Sequence, residues 1–507
     1  SLGEVLSFCR NGLRLSSHQY IGGSQPIPDG LNYLYIFPNR TEALSMNKTQ
    51  ASLKLNAIAQ IDKQTIWHHL TQHRLFEKSE PMVITKGSGL RVWDSNGREF
   101  LDAVSGGLWT VNVGYGRESM AKAVYEQLLE MPFFAGTAGT IPGALFAEKL
   151  LGKMPGMSRV YFSNSGSEAN EKAYKIVRQI AHKCYEGKKH KIIFRERDYH
   201  GTTITALSSS GQQQRKEQYG PMTPGFVEMP HCCEYRSQYG EINNYGILAA
   251  ETLENVILRE GADTVGALIL EPITAGGGVI TPPEGYWKTI QSICDKYNIL
   301  LILDEVVCGL GRTGEWFGYQ HYGIKPDIVT MAKGVASGYA AISCTVTTEE
   351  IFNLFRDDEN DPLDYFRDVS TFGGCASGPA AALENMRIIE EEDLLVNCTK
   401  IGRYLKTKLE SLMIKHPSIG DVRGKGLLCG FELVQDRDSK EPIEESVAMA
   451  VVAKCLENGL IIGRTNRSFY KFNNTIVLSP ALVATHSDID QIVEVIDVSL
   501  QNVLSRN

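Results

Sequence analysis

Five apolar runs in the middle of this 507-residue chain each end in polar or charged residues. Segments with helical spacing separate the runs, and this alternation is typical of an α/β domain with a mostly parallel sheet. The carboxyl ends of parallel strands share one edge of the sheet, where ligands bind. The pattern therefore predicts one site built from five strand ends. These are RVYFSN (159–164) before Ser165-Gly166-Ser167, KIIF (191–194) before Tyr199-His200, VGALIL (265–270) before Glu271, ILLIL (299–303) before Asp304, and DIVTMA (327–332) before Lys333.

The chain divides into four predicted segments. Residues 1–45 lack a sustained hydrophobic period and contain GGSQPIPDG, so we expect a disordered leader or an upstream translation before Met46. Residues 46–104 would form the N-terminal part of a small domain, with short strands joined by an SNG turn. Residues 105–375 would form the large domain that carries the strand ends. Residues 376–507, long amphipathic helices before short strands, would complete the smaller α+β domain.

Charge and cysteine content disfavour several classes of protein. The formal net charge is −8, from 51 Lys and Arg against 59 Asp and Glu, which argues against nucleic acid or a membrane surface as partner. No apolar stretch approaches the roughly 20 residues of a membrane helix, and no segment resembles a secretion signal. The eleven cysteines show no C-x-x-C or Cys/His spacing, so we expect no metal site and reduced thiols in a cytoplasmic protein.

The segment LLILDEVVCGLGRTG (300–314) brings two acids, Asp304 and Glu305, to the end of a buried strand, where a charge needs a partner. Its last six residues match G-x-G-x-x-G, so a dinucleotide cofactor is one interpretation. The surrounding sequence disfavours this interpretation, because glycines and a proline interrupt GEWFGYQHYGIKP, where the fingerprint requires a helix. The next strand also ends in Lys333 instead of a ribose-binding acid.

An anion site is predicted at Ser165-Gly166-Ser167, just before a helix with apolar residues at Ala173 and Val177. Exposed N–H groups and the positive end of the helix would attract a phosphate there. The alternative is a plain N-cap, in which Ser167 caps the helix and Glu168 favours its first turn.

Pyridoxal phosphate combines the features that these strand ends would recognise: a phosphate, an aldehyde that condenses with lysine, and a ring nitrogen that catalyses best when protonated. Asp304 would keep the nitrogen protonated. Lys333 would bond to the aldehyde and then act as the base that moves the substrate proton. Tyr199 would stack on one ring face and Val306 on the other. For Tyr199, an ordinary core aromatic is the alternative.

Several motifs resemble, in the same order, those of the class III aminotransferases, the ω-transaminase branch of the fold type I enzymes. The longest is LLILDEVVCGLGRTG followed by KPDIVTMAKG, with 29 residues from Asp304 to Lys333. The likeness extends from about residue 60 to residue 500. It implies a large cofactor-binding domain with a mostly parallel seven-stranded sheet, plus a smaller α+β domain. The other motifs are GREFLDAVSGGLWTVNVGYG (97–116), YFSNSGSEANE (161–171), RDYHGTT (197–203), ILEPI (269–273) and STFGGCASGPAA (370–381).

The resemblance implies roles at matching positions. Thr371 would reach the phosphate of the neighbouring subunit, which implies a homodimer or a dimer of dimers with shared active sites. Trp109 would line the substrate channel. Arg464 would meet the acid group of the substrate, although TNRSFYKFNN (465–474) departs from the shorter segment of the family and Arg467 competes. For the cofactor, Gly166 and Ser167 would hold the phosphate, Tyr199 would stack on the ring with His200 beside it, Asp304 would pair with the ring nitrogen, Lys333 would carry the aldehyde, and Glu271 would lie nearby.

The implied reaction moves an amino group between small molecules. The donor gives its amine to the cofactor, which carries it as pyridoxamine phosphate until pyruvate takes it and leaves as alanine. Taurine, giving sulfoacetaldehyde, is the expected donor, and β-alanine or another ω-amino acid or amine is the alternative. A guanidinium accepts carboxylate and sulfonate oxygens alike. An aminomutase or decarboxylase, a dinucleotide-dependent oxidoreductase and a non-enzymatic binding protein are the other interpretations.

Overall fold

The computed structural model describes residues 48–356 and 358–505, where helices and strands alternate along the chain. The strands are β1 (Ile84–Ser88), β2 (Arg91–Asp94), β3 (Glu99–Asp102), β4 (Met157–Ser163), β5 (Lys191–Arg195), β6 (Phe226–Met229), β7 (Val265–Leu270), β8 (Leu300–Asp304), β9 (Ile328–Met331), β10 (Ser343–Thr348), β11 (Ile419–Lys425), β12 (Leu428–Leu433), β13 (Leu460–Ile461), β14 (Gly463–Arg464) and β15 (Thr475–Leu478). The helices are α1 (Lys48–Thr65), α2 (His73–Phe76), α3 (Glu118–Glu130), α4 (Ile141–Leu151), α5 (Gly166–Tyr185), α6 (Ile204–Ser208), α7 (Gln213–Lys216), α8 (Tyr245–Glu260), α9 (Tyr286–Tyr297), α10 (Glu349–Asn353), α11 (Ser377–Glu391), α12 (Leu394–Lys415), α13 (Glu445–Glu457) and α14 (His486–Leu504).

A seven-stranded sheet holds the five predicted strand ends. Its order is β4-β10-β9-β8-β7-β5-β6. Strand β10 runs antiparallel to β4 and β9, and the other pairings are parallel. The predicted mostly parallel seven-stranded sheet is confirmed, and each of the five apolar runs forms a strand. The antiparallel strand β10 is an addition that the sequence did not predict.

Both faces of this sheet are buried, because successive strand residues alternate between two hydrophobic layers. On one face Ile302 packs in a cluster with Val177 of α5. On the other face Leu301 and Leu303 join the larger core. Asp304 follows Ile302 by two residues and so lies on the face that is covered by α5.

Two four-stranded sheets contain the other strands of the described residues. One has the order β1-β2-β3-β13, and in it β13 runs parallel to β3, with Leu460 opposite Leu101. The other has the order β11-β12-β15-β14 and is antiparallel. Strands from before and after the central sheet thus pair in one sheet. This pairing supports a small domain that is built from both ends of the described chain. The domain boundaries at residues 104 and 375 stay predictions.

Residues 48–81 belong to a separate compact unit that ends at Pro81, and the unit Met82–Asn507 holds all three sheets. In the first unit, α1 is followed by α2, whose N-cap residue Gln72 accepts a hydrogen bond from the Leu75 N–H. The predicted leader, residues 1–45, lies outside the described residues. None of the described helices is both long and apolar enough to cross a bilayer.

Candidate active site

Asp304 ends β8 with a carboxylate that accepts three hydrogen bonds. Its Oδ2 accepts from Asn170 Nδ2 and from His200 Nδ1, both at 2.8 Å, and its Oδ1 accepts from the Val306 N–H at 3.0 Å. Asn170 comes from α5 and is itself fixed by Thr330, whose hydroxyl donates to its Oδ1 at 2.7 Å. These partners orient the buried carboxylate and satisfy its oxygens.

Glu305, the second acid of the pair, is satisfied by the backbone. Its Oε2 accepts from the Gly318 N–H at 2.9 Å, and its Oε1 accepts from the Tyr319 N–H at 2.8 Å. Burial raises the pKa of the Glu305 carboxyl to about 8, although the two N–H groups oppose the rise. Glu305 therefore fixes the turn at residues 318 and 319.

The GLGRTG segment forms a closed turn that the fully buried Arg312 ties to the rest of the fold. The Arg312 guanidinium donates to the Leu427 carbonyl at 3.1 Å and to Asn112 Oδ1 at 2.7 Å. Gly311 adopts φ +95°, a conformation that favours glycine. The next helical segment is a 3₁₀ turn, Gly318–Tyr322, so the helix N-terminus that a dinucleotide requires is not formed here.

Lys333 follows β9 with a left-handed backbone, φ +47°. This conformation is unfavourable for a residue with a side chain and persists only where the surrounding structure holds it. Burial lowers the pKa of Lys333, and the positive charge of Arg215 lowers it further, whereas Asp304 and Glu271 oppose the shift. An amine with a lowered pKa is nucleophilic nearer to neutral pH.

The N-terminus of α5 lies beside the residue that precedes Lys333. A Cβ added at Gly166 would lie 3.0 Å from Val306 Cγ2 and 3.7 Å from Ala332 Cβ. Since the Val306 N–H also holds Asp304, the start of α5 and the Asp304 carboxylate meet at Val306, with the residue before Lys333 close by.

Ser165 caps α5, so the alternative in which Ser167 is the cap is wrong. The Ser165 hydroxyl accepts from the Glu168 N–H at 3.2 Å, and Glu168 Oε2 accepts from the Ser165 N–H at 3.1 Å. The Ser167 hydroxyl accepts instead from the Thr202 N–H at 3.0 Å. Because the first N–H groups of a helix have no intrahelical acceptor, those of Gly166 and Ser167 can bind an anion.

Glu271 fixes the loop that carries Tyr199. Its Oε1 accepts from the Tyr199 N–H at 2.9 Å, and its Oε2 accepts from the Ala275 N–H at 3.0 Å. Burial raises the pKa of Glu271, and the charges of Asp198 and Asp304 raise it further. Glu271 thus positions the backbone of Tyr199, whereas contact between Glu271 and the cofactor stays a prediction.

The Lys333 amine lies over the indole ring of Trp109, with Nζ 5.4 Å from the ring centroid. Trp109 ends a turn in which Gly106 adopts φ +80° and donates its N–H to Asp102 Oδ2 at 2.6 Å. The indole Nε1 is buried without a hydrogen-bond partner among the described residues. The role of Trp109 in a substrate channel stays a prediction.

Among the described residues, no contact links Thr371, Arg464 or Arg467 to the group formed by Asp304, Lys333 and the start of α5. Thr371 is exposed in a 3₁₀ turn, Thr371–Gly374. Arg464 in β14 donates through Nη1 to Glu445 Oε1 at 3.0 Å and to the Asn473 carbonyl at 2.6 Å. The Arg467 side chain is exposed. The roles of these residues toward phosphate and substrate stay predictions.

Two residues of the site were missed by the sequence analysis, Asn170 and Arg215. Asn170 is fully buried and lies three residues before Ala173 on the apolar stripe of α5, so a polar residue on an apolar stripe was a usable signal. The Arg215 guanidinium lies 5.2 Å from the centroid of the Tyr199 ring. No local sequence signal marks Arg215.

Comparison with known proteins agrees with this geometry. Residues 75–500 match the family model described as Aminotransferase class-III. The chain belongs to this family. It is 63% identical to the hypotaurine/taurine–pyruvate aminotransferase of Paracoccus denitrificans over 451 residues, which cover 89% of this chain and 98% of that protein. It is 60% identical to the taurine–pyruvate aminotransferase of Bilophila wadsworthia over 443 residues, which cover 87% and 96%. The crystal structure of a Bacillus anthracis aminotransferase matches with a TM-score of 0.85 at 38% identity, covering 90% of this chain and 100% of that one.

Class III aminotransferases use pyridoxal phosphate, and the described residues fit this cofactor. The free N–H groups at the start of α5 suit its phosphate. The hydrogen-bonded Asp304 suits a protonated ring nitrogen, and the buried amine of Lys333 suits the aldehyde. The predicted family, fold class and cofactor are confirmed.

Proposed function

We propose that this class III aminotransferase moves the amino group of taurine to pyruvate and releases sulfoacetaldehyde and alanine. The observation that carries the proposal is 63% identity over 98% of the Paracoccus denitrificans protein, whose name gives hypotaurine, taurine and pyruvate. The convergence of Asp304, Lys333 and the α5 N-terminus supports the transaminase chemistry.

The cofactor would be held by residues at the sheet edge. We assign its phosphate to the N–H groups of Gly166 and Ser167, its ring to the space between Tyr199 and Val306, and its ring nitrogen to Asp304. When bound, pyridoxal phosphate withdraws electrons from the substrate carbon that bears the amine.

Lys333 moves the proton in the proposed reaction. Its Nζ, which burial keeps at a lowered pKa, takes the proton from the substrate carbon and later returns one. Asp304 holds a proton at the ring nitrogen, while Asn170 and His200 keep its carboxylate in place. Trp109 covers the amine and helps to exclude water from it.

We also propose a homodimer, or a dimer of dimers, in which Thr371 of one subunit reaches the phosphate site of the other. Exposed apolar side chains around this turn support an interface, since Val369 is 82% and Phe372 65% exposed, and Phe133 packs beside Phe372. Light scattering after gel filtration measures the mass. A monomer that retains full activity would contradict this proposal.

A cytoplasmic location is part of the proposal. The proposal is supported by the cysteines that the structure describes, from Cys184 to Cys455, because they are free thiols and form no disulfide. Cell fractionation measures the location, and recovery in an oxidising compartment would contradict it.

The test of the proposed function is a donor panel. Taurine, hypotaurine, β-alanine, 4-aminobutyrate and a simple amine are each combined with pyruvate or 2-oxoglutarate. We expect the highest kcat/KM with taurine and pyruvate, measured as alanine formed. A higher kcat/KM with β-alanine would move the assignment to an ω-amino acid donor. Transfer from no donor would refute the transaminase.

A further inference from the structure

Arg215 in α7 is a guanidinium without an acidic partner among the described residues. Its Nε donates to Gln212 Oε1 at 2.6 Å, and its Nη2 donates to the Asn466 carbonyl at 2.9 Å. Its Nη1 donates to no described residue. Burial lowers the pKa of Arg215, and the nearby Tyr199 opposes this shift. A partly buried cation of this kind becomes more favourable when an anion binds it.

Arg215 lies beside the groups that would handle the substrate. Its guanidinium is 5.2 Å from the Tyr199 ring, and its charge acts on the Lys333 amine. A Cβ added at Gly276 would lie 3.7 Å from Trp109 Cη2 and 3.4 Å from the Nε2 of Gln212, the partner of Arg215. These contacts place Arg215 in a side wall between Tyr199 and Trp109.

The side wall, which we define as residues 212–216 and residues 465–474, is held by hydrogen bonds between side chains far apart in sequence. Ser468 Oγ donates to Gln212 Oε1 at 3.1 Å, and Asn473 Nδ2 donates to Gln214 Oε1 at 2.8 Å. The longer segment TNRSFYKFNN thus supplies the acceptors and donors that fix Arg215.

The competing arginines differ from Arg215, because Arg464 has an acidic partner and Arg467 is exposed. Arg464 Nη1 is already engaged by Glu445 Oε1 at 3.0 Å and by the Asn473 carbonyl at 2.6 Å, and its side chain is 10% exposed. Arg467 extends into solvent. Arg464 therefore ties Asn473 of this segment to Glu445 of α13.

We infer that Arg215 binds the acid group of the amino donor at Nη1, and that Arg464 positions the side wall that holds Arg215. The inference rests on the proposed function, in which the donor carries an acid group at the end opposite its amine. A guanidinium can accept either a planar carboxylate or a tetrahedral sulfonate.

The kinetic test compares Arg215→Gln with the wild type on taurine, β-alanine and the uncharged donor propylamine. We expect kcat/KM for the two acids to fall about 10- to 100-fold and that for propylamine to change less than about threefold. Arg215→Lys should restore part of the loss. The control Arg259→Gln removes an exposed arginine from α8 and should leave all three values unchanged. An equal loss for all donors would show a structural role and overturn the inference.

A binding test separates this inference from the identity of the donor. 2-Hydroxyethanesulfonate carries the sulfonate but no amine, so calorimetry with the holoenzyme measures head-group binding alone. We expect its Kd to rise at least about tenfold in Arg215→Gln and to stay unchanged in Arg259→Gln. If wild-type enzyme transfers no amine from taurine, the proposed function fails and this measurement still decides about Arg215. The inference is overturned if 2-hydroxyethanesulfonate does not bind the wild type, or if it binds Arg215→Gln equally well. It is also overturned if Arg464→Gln or Arg467→Gln loses activity selectively with the acid donors and Arg215→Gln does not.

Discussion

The edge of the central sheet and the side wall contribute to the same site in different ways. At the edge, Asp304 is the last residue of a buried strand and Lys333 lies two residues after another, so the local apolar pattern determines where they lie. In the side wall, Arg215 is held by Asn466, a residue 251 positions later in the chain. The edge therefore depends on nearby sequence, and the side wall depends on the completed fold. We expect substitutions at the edge to affect every donor and substitutions in the side wall to change which donor is used.

The largest effect is expected for Lys333→Ala. Loss of the amine removes the proton-transferring group, so kcat should fall at least about 10⁴-fold for taurine and for propylamine. The measurement is alanine formation at saturating donor. Lys325→Ala, at an exposed position, is the control and should keep full activity. A loss with taurine alone would show that this edge residue acts on donor choice.

Asp304→Asn should give the next largest effect. The amide has almost the same shape but cannot hold a proton at the ring nitrogen, so kcat should fall about 10²- to 10³-fold for all donors. Steady-state kinetics with taurine and propylamine measures this. Retention of wild-type kcat would remove Asp304 from the catalytic group.

Asn170→Ala tests the hydrogen bonds that hold Asp304 at the edge of the central sheet. Removing its amide takes one hydrogen bond from Asp304 Oδ2 and leaves Thr330 without its acceptor. We expect the free energy of unfolding to fall by about 1–3 kcal/mol and kcat to fall about tenfold. Urea unfolding measures the first quantity. The exposed Asn243→Ala is the control, expected to change stability by less than about 0.5 kcal/mol.

Glu305→Gln should change how stability depends on pH. The folded Glu305 carboxyl binds its proton with a pKa of about 8, against 4.5 when unfolded, so the wild type loses stability relative to the variant as pH rises from 5 through 8. The slope should be at most about 1.4 kcal/mol per pH unit. Urea unfolding of both proteins at pH 5, 6.5 and 8 measures the difference. A difference that stays constant over this range would contradict the raised pKa.

The smallest effect is expected for Gln214→Ala in the side wall. It removes the acceptor of the hydrogen bond from Asn473 Nδ2, worth about 1 kcal/mol, so kcat/KM for taurine should fall about fivefold. The value for propylamine should stay within about twofold, since the edge is untouched. Equal losses for both donors would mean that the side wall and the edge cannot be separated.

The edge could be predicted from sequence because its residues follow recognisable strands. Asp304, Lys333 and Glu271 each come after an apolar run, and the structure buries these runs on both faces of one sheet. The start of α5 was also located, but the alternative that gave the N-cap to Ser167 was wrong, because Ser165 is the N-cap. The error is two positions, because three neighbouring residues can all begin a helix.

The side wall could not be predicted, because its contacts have no local signature. TNRSFYKFNN was seen only as a departure from the family pattern, and its hydrogen bonds to Gln212 and Gln214 form only in the folded chain. Arg464 was chosen for the acid group because it matches the family motif, and its pairing with Glu445 depends on a residue 19 positions earlier. A motif identifies a residue but does not show which other side chain that residue pairs with in the folded protein.

The left-handed backbone at residue 333 makes folding and activity compete at a single position. Glycine would adopt this conformation without the steric penalty of a side chain, yet glycine has no amine. A library selected only for resistance to heat or proteolysis would thus be expected to enrich glycine there and yield well-folded, inactive enzymes. Efforts to make this enzyme more robust should keep the lysine fixed and seek their gains elsewhere.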